Sequence, residues 1–200
     1  MTYTVETIQK PSEDECGIVA TFSDQSLSQL TSIQDQLIES LGDAIWITPP
    51  KALHSTLIEI ICDMDYPTSR NELFTTWYKQ YNHKVDKKVA DLPSFNITFS
   101  EIEVSARAVI VKSATSEAFN SIRSEILSKM ELPTGTKQPP DITHCTLARF
   151  SRILSIEEVT KLTQNIPCDI TEMISSLKLM KDLGPPSFEP KTIQVYNLQG

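Results

Sequence analysis

Residues 139–147 read PPDITHCTL, and residues 49–57 read PPKALHSTL. The chain has three histidines, and two of them, His54 and His144, stand in the same frame, Pro-Pro-x-x-x-His-x-Thr-Leu. Two of three histidines followed by Thr and Leu at these offsets arise by chance on the order of once in ten thousand sequences. The repeat therefore indicates that the two segments contribute to one site.

Each motif lies in a segment that is typical of a β-strand. Side chains two residues apart on a strand share a face. His54 is therefore expected to project together with Thr56, and His144 together with Thr146. Each motif thus offers one imidazole and one hydroxyl side by side.

Two such pairs facing each other across a cleft suit transfer at a phosphodiester. An imidazole with a pKa near neutrality serves either as a base or as an acid. Two histidines on opposite sides of phosphorus can therefore remove a proton from the nucleophile and protonate the leaving oxygen. The threonine hydroxyls would donate to the phosphate oxygens. This chemistry requires no metal.

The rest of the chain predicts an α+β fold. Its hydrophobic pattern gives the order strand–helix–strand–strand–helix–strand–strand, then helix–strand–helix–strand–strand, with one motif in each half. No Gly/Ser linker separates the halves, so we expect residues 1–200 to form a single domain with two packed lobes. The predicted helices are 24–42, 71–83, 116–130 and 155–166.

Several boundaries are specific enough to test. Asp24 and Ser116 are the candidate N-caps of the first and third helices, and Gly42 is the candidate residue that ends the first helix. The Lys-rich stretch 82–93 is predicted to be a solvated connection, and 172–182 is predicted to be one strand.

The charge of the chain favours a small or terminal substrate. There are 18 basic residues against 26 acidic ones, a net charge of −8. Non-specific affinity for long nucleic acid depends on Lys and Arg that neutralise phosphates. Tracking along a long backbone is therefore not expected, whereas a local pocket for one or two phosphates is.

The sequence also predicts a cytoplasmic protein that does not enter a membrane. The N-terminal stretch has no apolar core of the kind a signal peptide needs, and the most apolar run, 57–62, is too short to span a bilayer. The four cysteines are scattered without a C-x-x-C pair, which favours buried reduced thiols. We expect a monomer without an obligate protein partner.

The paired motifs resemble those of the two-histidine (2H) phosphoesterase superfamily. Its members include bacterial RNA 2′,3′-cyclic phosphodiesterases, once called 2′-5′ RNA ligases, plant and fungal cyclic phosphodiesterases, and enzymes that cut 2′-5′ oligoadenylates. The resemblance implies two pseudo-symmetric antiparallel-sheet lobes with outer helices and a central groove, and metal-independent chemistry without a cofactor. It implies that His54 and His144 are the acid/base pair and that Thr56 and Thr146 bind the phosphate.

The motifs depart from the family in two ways. The residue between His and Thr is usually apolar in the family, but here it is Ser55 or Cys145, which we expect to point away from the groove without affecting catalysis. Arg149 extends the second motif to H-x-T-L-x-R, similar to the RNA-end enzymes, whereas the equivalent residue of the first motif is Glu59. Five residues is an odd offset on a strand, so Arg149 is predicted to face away from His144 unless the strand bulges.

Other substrate contacts are suggested by residue type. Unpaired bases commonly stack on aromatic rings. Among the aromatics near the motifs, Tyr81 and Phe150 are the first candidates for stacking. Lys137, in the loop before the second motif, is a candidate phosphate contact. No further His, Cys or Asp stands at metal-ligand spacing near either motif, so no metal site is predicted.

The leading functional hypothesis is a metal-independent phosphodiesterase. Its substrate would be a nucleotide or RNA terminus carrying a 2′,3′-cyclic phosphate, or a 2′-5′ bond. A second hypothesis is degradation of small signalling nucleotides, either 2′-5′ oligoadenylate or cyclic oligonucleotides. A third is a nucleotide- or RNA-binding module without turnover. Which histidine acts as base stays open at this point.

Overall fold

The computed structural model describes residues 14–115, 117–138, 141–184 and 189–200. Within these ranges the elements follow the predicted α+β order as far as α4, after which the chain forms three strands where two were predicted. The strands are β1 (Cys16–Ala20), β2 (Ile45–Ile47), β3 (Ser55–Ile61), β4 (Phe95–Val104), β5 (Ala108–Ser113), β6 (His144–Phe150), β7 (Ile170–Ile174), β8 (Ser176–Lys181) and β9 (Lys191–Asn197). The helices are α1 (Asp24–Leu41), α2 (Arg70–Ala90), α3 (Glu117–Leu127) and α4 (Ile156–Thr163).

The strands form two antiparallel sheets, and each sheet contains one motif strand. The first sheet has the order β3-β1-β8-β9, and the second has the order β2-β6-β5-β4-β7. Helix α2 packs on the first sheet through β9 and β3, and α3 contacts both sheets through β3 and β4. Helices α1 and α4 pack on the second sheet, α1 through β2, β6 and β7 and α4 through β4. Each sheet takes strands from both halves of the chain, because β8 and β9 complete the sheet begun by β1 and β3, and β2 pairs with β6.

The N-cap of helix α1 lies one residue before the predicted one. The Ser23 hydroxyl accepts from the Ser26 amide, so Ser23, and not Asp24, is the N-cap. Ser23 is held in place because its amide and hydroxyl both donate to the Glu172 carboxylate. The helix ends at Gly42 as predicted, with a φ of 55°, a conformation that glycine adopts at little cost.

Helix α2 is longer than predicted. The stretch 82–93 was expected to be a connection, but the helix continues to Ala90. Val85 and Val89 are buried and extend the apolar face that begins with Phe74 and Trp77. Of the lysines between them, Lys87 is exposed, and Lys88 is half-buried and forms an ion pair with Glu125 of α3. The lysines therefore indicated the outer side of a helix and not a break in it.

The predicted strand 172–182 is two strands that belong to different sheets. Strand β7 pairs with β4 in the second sheet, and β8 pairs with β1 in the first. The chain changes sheets at Ser175, whose carbonyl accepts from the Leu198 amide. The predicted cap Ser116 lies outside the described residues. No helix in the described ranges is long and apolar enough to cross a bilayer.

Candidate active site

The two motifs border one cavity of about 610 Å³, which we call the groove. His54, Thr56, His144 and Thr146 all line it, and all four residues are half-buried. The predicted sharing of a face by each His and Thr is therefore seen in both strands. A volume of this size is within the range of pockets that hold small ligands.

The middle residues of the motifs join the two sheets directly behind the groove. Ser55 and Cys145 are buried, as predicted. The Ser55 hydroxyl donates to the His144 carbonyl at 2.7 Å, and the Cys145 thiol is hydrogen-bonded to the backbone of His54. Each motif thus holds the backbone of the other motif's histidine, which fixes the spacing of the two imidazoles. These cross-contacts are a tertiary feature that the strand pattern did not predict.

Both imidazoles are anchored in the same way. Nδ1 of His54 lies 2.7 Å from the Ala52 carbonyl, and the His144 ring is hydrogen-bonded to the backbone of Ile142. In each case the partner is two residues earlier in the chain. Because a carbonyl only accepts, Nδ1 of His54 carries the hydrogen in that bond, and Nε2 of the neutral ring remains available for proton exchange.

The groove keeps both histidines less basic than usual. Burial is the largest cause that lowers the pKa of His54 and of His144 from 6.5. The bonds to Ala52 and Ile142 oppose this effect, while the positive charge of Arg149 lowers both pKa values further. These shifts favour the neutral form of both rings. A bound phosphate would raise both pKa values, since a nearby negative charge stabilises imidazolium.

Each motif strand contains a β-bulge at its leucine. The pairing of β3 with β1 skips Leu57, and the pairing of β6 with β5 skips Leu147. A bulge adds one residue to one strand and shifts the alternation of faces. As a result the residue five positions after each histidine, Glu59 or Arg149, also lines the groove.

Arg149 therefore faces the groove because the strand bulges. Without the bulge, its odd offset would have turned it away from His144, as the regular pattern predicted. Its guanidinium makes no hydrogen bond or ion pair with another described residue. Burial lowers its pKa, and the charge of Arg107 lowers it further. The charge of Glu15, which also lines the groove, raises the pKa in part. An arginine remains a cation despite such shifts, so Arg149 places a positive charge in the groove.

Buried side chains from the helices satisfy the bulged carbonyls. The Leu57 carbonyl accepts from Nε of Arg123 in α3 at 2.7 Å. The Leu147 carbonyl accepts from Nε2 of Gln34 in α1 at 2.9 Å, and the same amide donates to the Thr48 carbonyl at 2.7 Å. Gln34 and Arg123 are only 1% and 5% exposed. Sequence reasoning missed both, although Gln34 lies on the apolar face of α1.

The candidate aromatic contacts Tyr81 and Phe150 do not border the groove. Tyr81 is buried on α2 and packs against Trp77, with ring centroids 6.3 Å apart. Phe150 is fully buried, because the alternation after the bulge turns it to the core side of β6. The aromatic residue that does line the groove is Trp46, which is 48% exposed and pairs with Arg149 across β2 and β6.

The remaining candidate, Lys137, lies where it was predicted. It borders the groove from the segment before β6, and it has no ion pair with another described residue. The adjacent Gln138 anchors this segment, since its Nε2 donates to the Glu59 carbonyl at 2.9 Å. The described residues contain no cluster of three or more His, Cys, Asp or Glu arranged to hold a metal ion.

The comparisons with known proteins give structural matches only. No family model and no curated protein matches the sequence. TT0787 of Thermus thermophilus matches with a TM-score of 0.61 at 14% identity, over 93% of this chain and 98% of that one. LigT of E. coli in its apo form matches with a TM-score of 0.61 at 11% identity, over 94% of this chain and 99% of that one. At such identities the likeness establishes a common fold.

The fold is also shared with a phosphoesterase and with ligand complexes of LigT. A solved structure described as a phosphoesterase matches with a TM-score of 0.56 at 13% identity, over 94% of this chain and 99% of that one. E. coli LigT has also been solved in complexes with phosphate, NADP+, 3′-AMP and ATP.

Proposed function

We propose that this chain, which has the fold of the two-histidine phosphoesterases, is a metal-independent phosphodiesterase. Its substrate would be a nucleotide or RNA terminus carrying a 2′,3′-cyclic phosphate, or a 2′-5′ phosphodiester. The observation that carries the proposal is the pair of groove-facing imidazoles, His54 and His144, each held by a backbone carbonyl and each beside a threonine. A module that only bound nucleotides would not need two titratable groups in matched positions.

The proposed reaction is an in-line displacement at phosphorus. For hydrolysis of a cyclic phosphate, one histidine removes a proton from water as the water oxygen bonds to phosphorus. The bond from phosphorus to one ribose oxygen breaks, and the other histidine gives that oxygen its proton. The acid must enter protonated, and the charge of the bound phosphate favours that state by raising the lowered pKa.

The phosphate would be held by the groups that project beside the histidines. The hydroxyls of Thr56 and Thr146 donate to its non-bridging oxygens, and Arg149 supplies the positive charge. Lys137 would make a further phosphate contact. Trp46, in place of Tyr81 and Phe150, is the half-exposed aromatic residue of the groove on which a base would stack. The pseudo-symmetry of the two motifs leaves either histidine able to act as base, depending on which ribose oxygen leaves.

The proposal also covers the domain organisation, the oligomeric state and the cellular location of the protein. We propose that residues 1–200 form one bilobal domain, since each sheet takes strands from both halves of the chain. We propose further that the protein acts as a monomer. All four cysteines are free thiols, which supports a cytoplasmic location.

Small signalling nucleotides are a second candidate substrate for the same chemistry. The net charge of −8 disfavours long nucleic acid, and a groove of about 610 Å³ suits a ligand of one or two nucleotides. A 2′-5′ oligoadenylate or a cyclic oligonucleotide would present its phosphodiester to the same four motif residues.

The test is hydrolysis in the presence of EDTA by the wild type and by His54→Ala, His144→Ala and His83→Ala. The substrates are 2′,3′-cyclic mononucleotides, RNA ending in a cyclic phosphate, 2′-5′ oligoadenylate and cyclic dinucleotides. Loss of a general acid or base costs about 10²- to 10⁴-fold, so both motif variants should lose turnover of one shared substrate. His83→Ala should retain turnover, because His83 lies exposed on α2, outside the groove.

Two results would contradict the proposal. Turnover only after addition of a metal would exclude the two-histidine mechanism. Tight nucleotide binding without turnover of any substrate would favour the binding module.

A further inference from the structure

Glu59 occupies in β3 the position that Arg149 occupies in β6. Both residues follow a motif histidine by five positions, and both are turned into the groove by a bulge at the motif leucine. The two sides of the groove are alike in their histidines and threonines. They differ in charge at this one equivalent position, where one side carries a cation and the other an anion.

The carboxylate of Glu59 has no hydrogen-bond donor among the described residues. Its side chain makes no hydrogen bond or ion pair with any of them, although the residue is half-buried. The residue opposite it on β1 is Gly17, which has no side chain to offer. Burial, with the nearby charge of Glu15, raises the pKa of Glu59 to about 6. A partly desolvated carboxylate that accepts no hydrogen bond is unfavourable, unless a bound ligand supplies the donor.

The chemistry of a carboxylate limits what that ligand group can be. A carboxylate accepts hydrogen bonds and repels phosphate, so Glu59 cannot assist Arg149 in binding the scissile group. On a nucleotide, the donors are the ribose hydroxyls and the base edge. In a 2′,3′-cyclic phosphate both ribose oxygens next to phosphorus are esterified and no longer donate. The base edge then remains as the main source of paired donors.

We propose that Glu59 contacts the base of the substrate and selects guanine; this inference rests on the proposed function. The Watson–Crick edge of guanine presents N1–H and N2–H side by side, which matches the two oxygens of one carboxylate. Adenine and cytosine present one amino group next to an acceptor nitrogen, and uracil presents one N–H between two carbonyls. Each of these edges sets an acceptor against the carboxylate, so each binds less well.

The experiment compares wild type, Glu59→Gln, Glu59→Asp and Glu101→Gln. Glu101 is an exposed strand carboxylate outside the groove and serves as the matched control. The first readout is kcat/KM for the 2′,3′-cyclic phosphates of guanosine, adenosine, cytidine and uridine. The second is calorimetric Kd for guanosine and uridine 3′-monophosphates, which does not depend on turnover. Thermal unfolding checks that each variant is folded.

We expect the wild type to prefer guanosine over uridine by about tenfold or more in both readouts, the scale of lost hydrogen bonds to a charged group. Glu59→Gln should reduce that ratio about tenfold, because its amide NH₂ opposes a base donor. Glu59→Asp should retain part of the preference, since it keeps the carboxylate. Glu101→Gln should keep the wild-type ratio.

The outcomes separate this inference from the proposed function. Turnover without a guanosine preference, or a Glu59→Gln variant that slows all four substrates equally, would overturn the role of Glu59 and leave the phosphodiesterase standing. A Glu59-dependent preference in Kd without turnover of any substrate would support base selection and overturn catalysis. Absence of both binding and turnover would overturn both.

Discussion

At the residue scale, the reactivity of the two histidines depends on what surrounds each ring. His54 and His144 are partly desolvated, and Arg149 places a positive charge near both. These effects favour neutral imidazole, while the bonds to backbone carbonyls oppose them. The same arginine that would hold the phosphate therefore also adjusts the protonation of the acid and the base.

The pH dependence of kcat/KM should show this effect. This quantity rises as the base of the free enzyme loses its proton and falls as the acid loses its own. Since both pKa values lie below the usual 6.5, the maximum should lie on the acidic side of pH 6.5. Arg149→Gln removes a positive charge, so both pKa values should rise and the maximum should move to higher pH. Its kcat/KM should also fall by about a hundredfold.

Arg152→Gln is the control for this variant. Arg152 follows β6, does not line the groove and has an exposed ion pair with Asp43 at 3.5 Å. Its profile should match that of the wild type. If Arg149→Gln lowered the rate without moving the profile, the charge of Arg149 would not act on the histidines.

At the element scale, the two motif strands are positioned in the same way. Each strand bulges at the leucine of its motif, and each bulged carbonyl accepts from a buried side chain on a helix, Arg123 for Leu57 and Gln34 for Leu147. The bulge brings Glu59 or Arg149 into the groove. The sequence predicted the strands and their order. The bulges were not predictable, because they depend on pairing with β1 and β5 and on donors from distant helices.

Replacement of Gln34 should therefore affect both stability and activity. Gln34→Ala removes the side-chain donor to the Thr48 carbonyl and one of the two donors to the Leu147 carbonyl, which keeps its bond from the Thr48 amide. It also leaves space behind β6. The free energy of unfolding should fall by about 1 to 3 kcal/mol, the usual cost of unpaired buried polar groups. The kcat/KM should fall as well, because Arg149 lies two residues beyond the bulge. Denaturant unfolding and the cyclic-phosphate assay measure the two effects.

Gln36→Ala is the matched control on the same helix. Gln36 is half-exposed, and among the described residues its side chain bonds only to the Ser32 carbonyl. Its replacement should change the free energy of unfolding by less than about 0.5 kcal/mol. Equal stability of the two variants would mean that the bulge does not depend on Gln34.

At the scale of the whole molecule, charge and shape limit the ligand. The net charge is −8, and the groove is about 610 Å³. Among the described cations, Arg107, Lys137 and Arg149 border the groove. The lysines of α2 lie outside it; Lys79, Lys84 and Lys87 are exposed, and Lys88 forms an ion pair with Glu125. The molecule therefore offers a local site for one end of a nucleic acid and not an extended track.

The length of an RNA substrate should accordingly have little effect. Extending a cyclic-phosphate end from two to about ten nucleotides should change kcat/KM by less than about threefold at about 0.1 M salt. The plot of log kcat/KM against log salt should have a shallow slope, about −0.7 for each phosphate contacted. Lys87→Ala, on α2, should leave both quantities unchanged. A tenfold gain with length and a steep slope would reveal contacts along the RNA.

The sequence by itself determined the α+β element order, the pairing of each histidine with its threonine and the burial of Ser55 and Cys145. These features follow from the alternation of side chains along a strand and from the periodicity of a helix, which are local properties. Only the tertiary structure decided that Glu59 and Arg149 enter the groove, and that Trp46 borders it while Tyr81 and Phe150 do not. These features depend on strand register, bulges and helix packing, which join residues far apart in the chain.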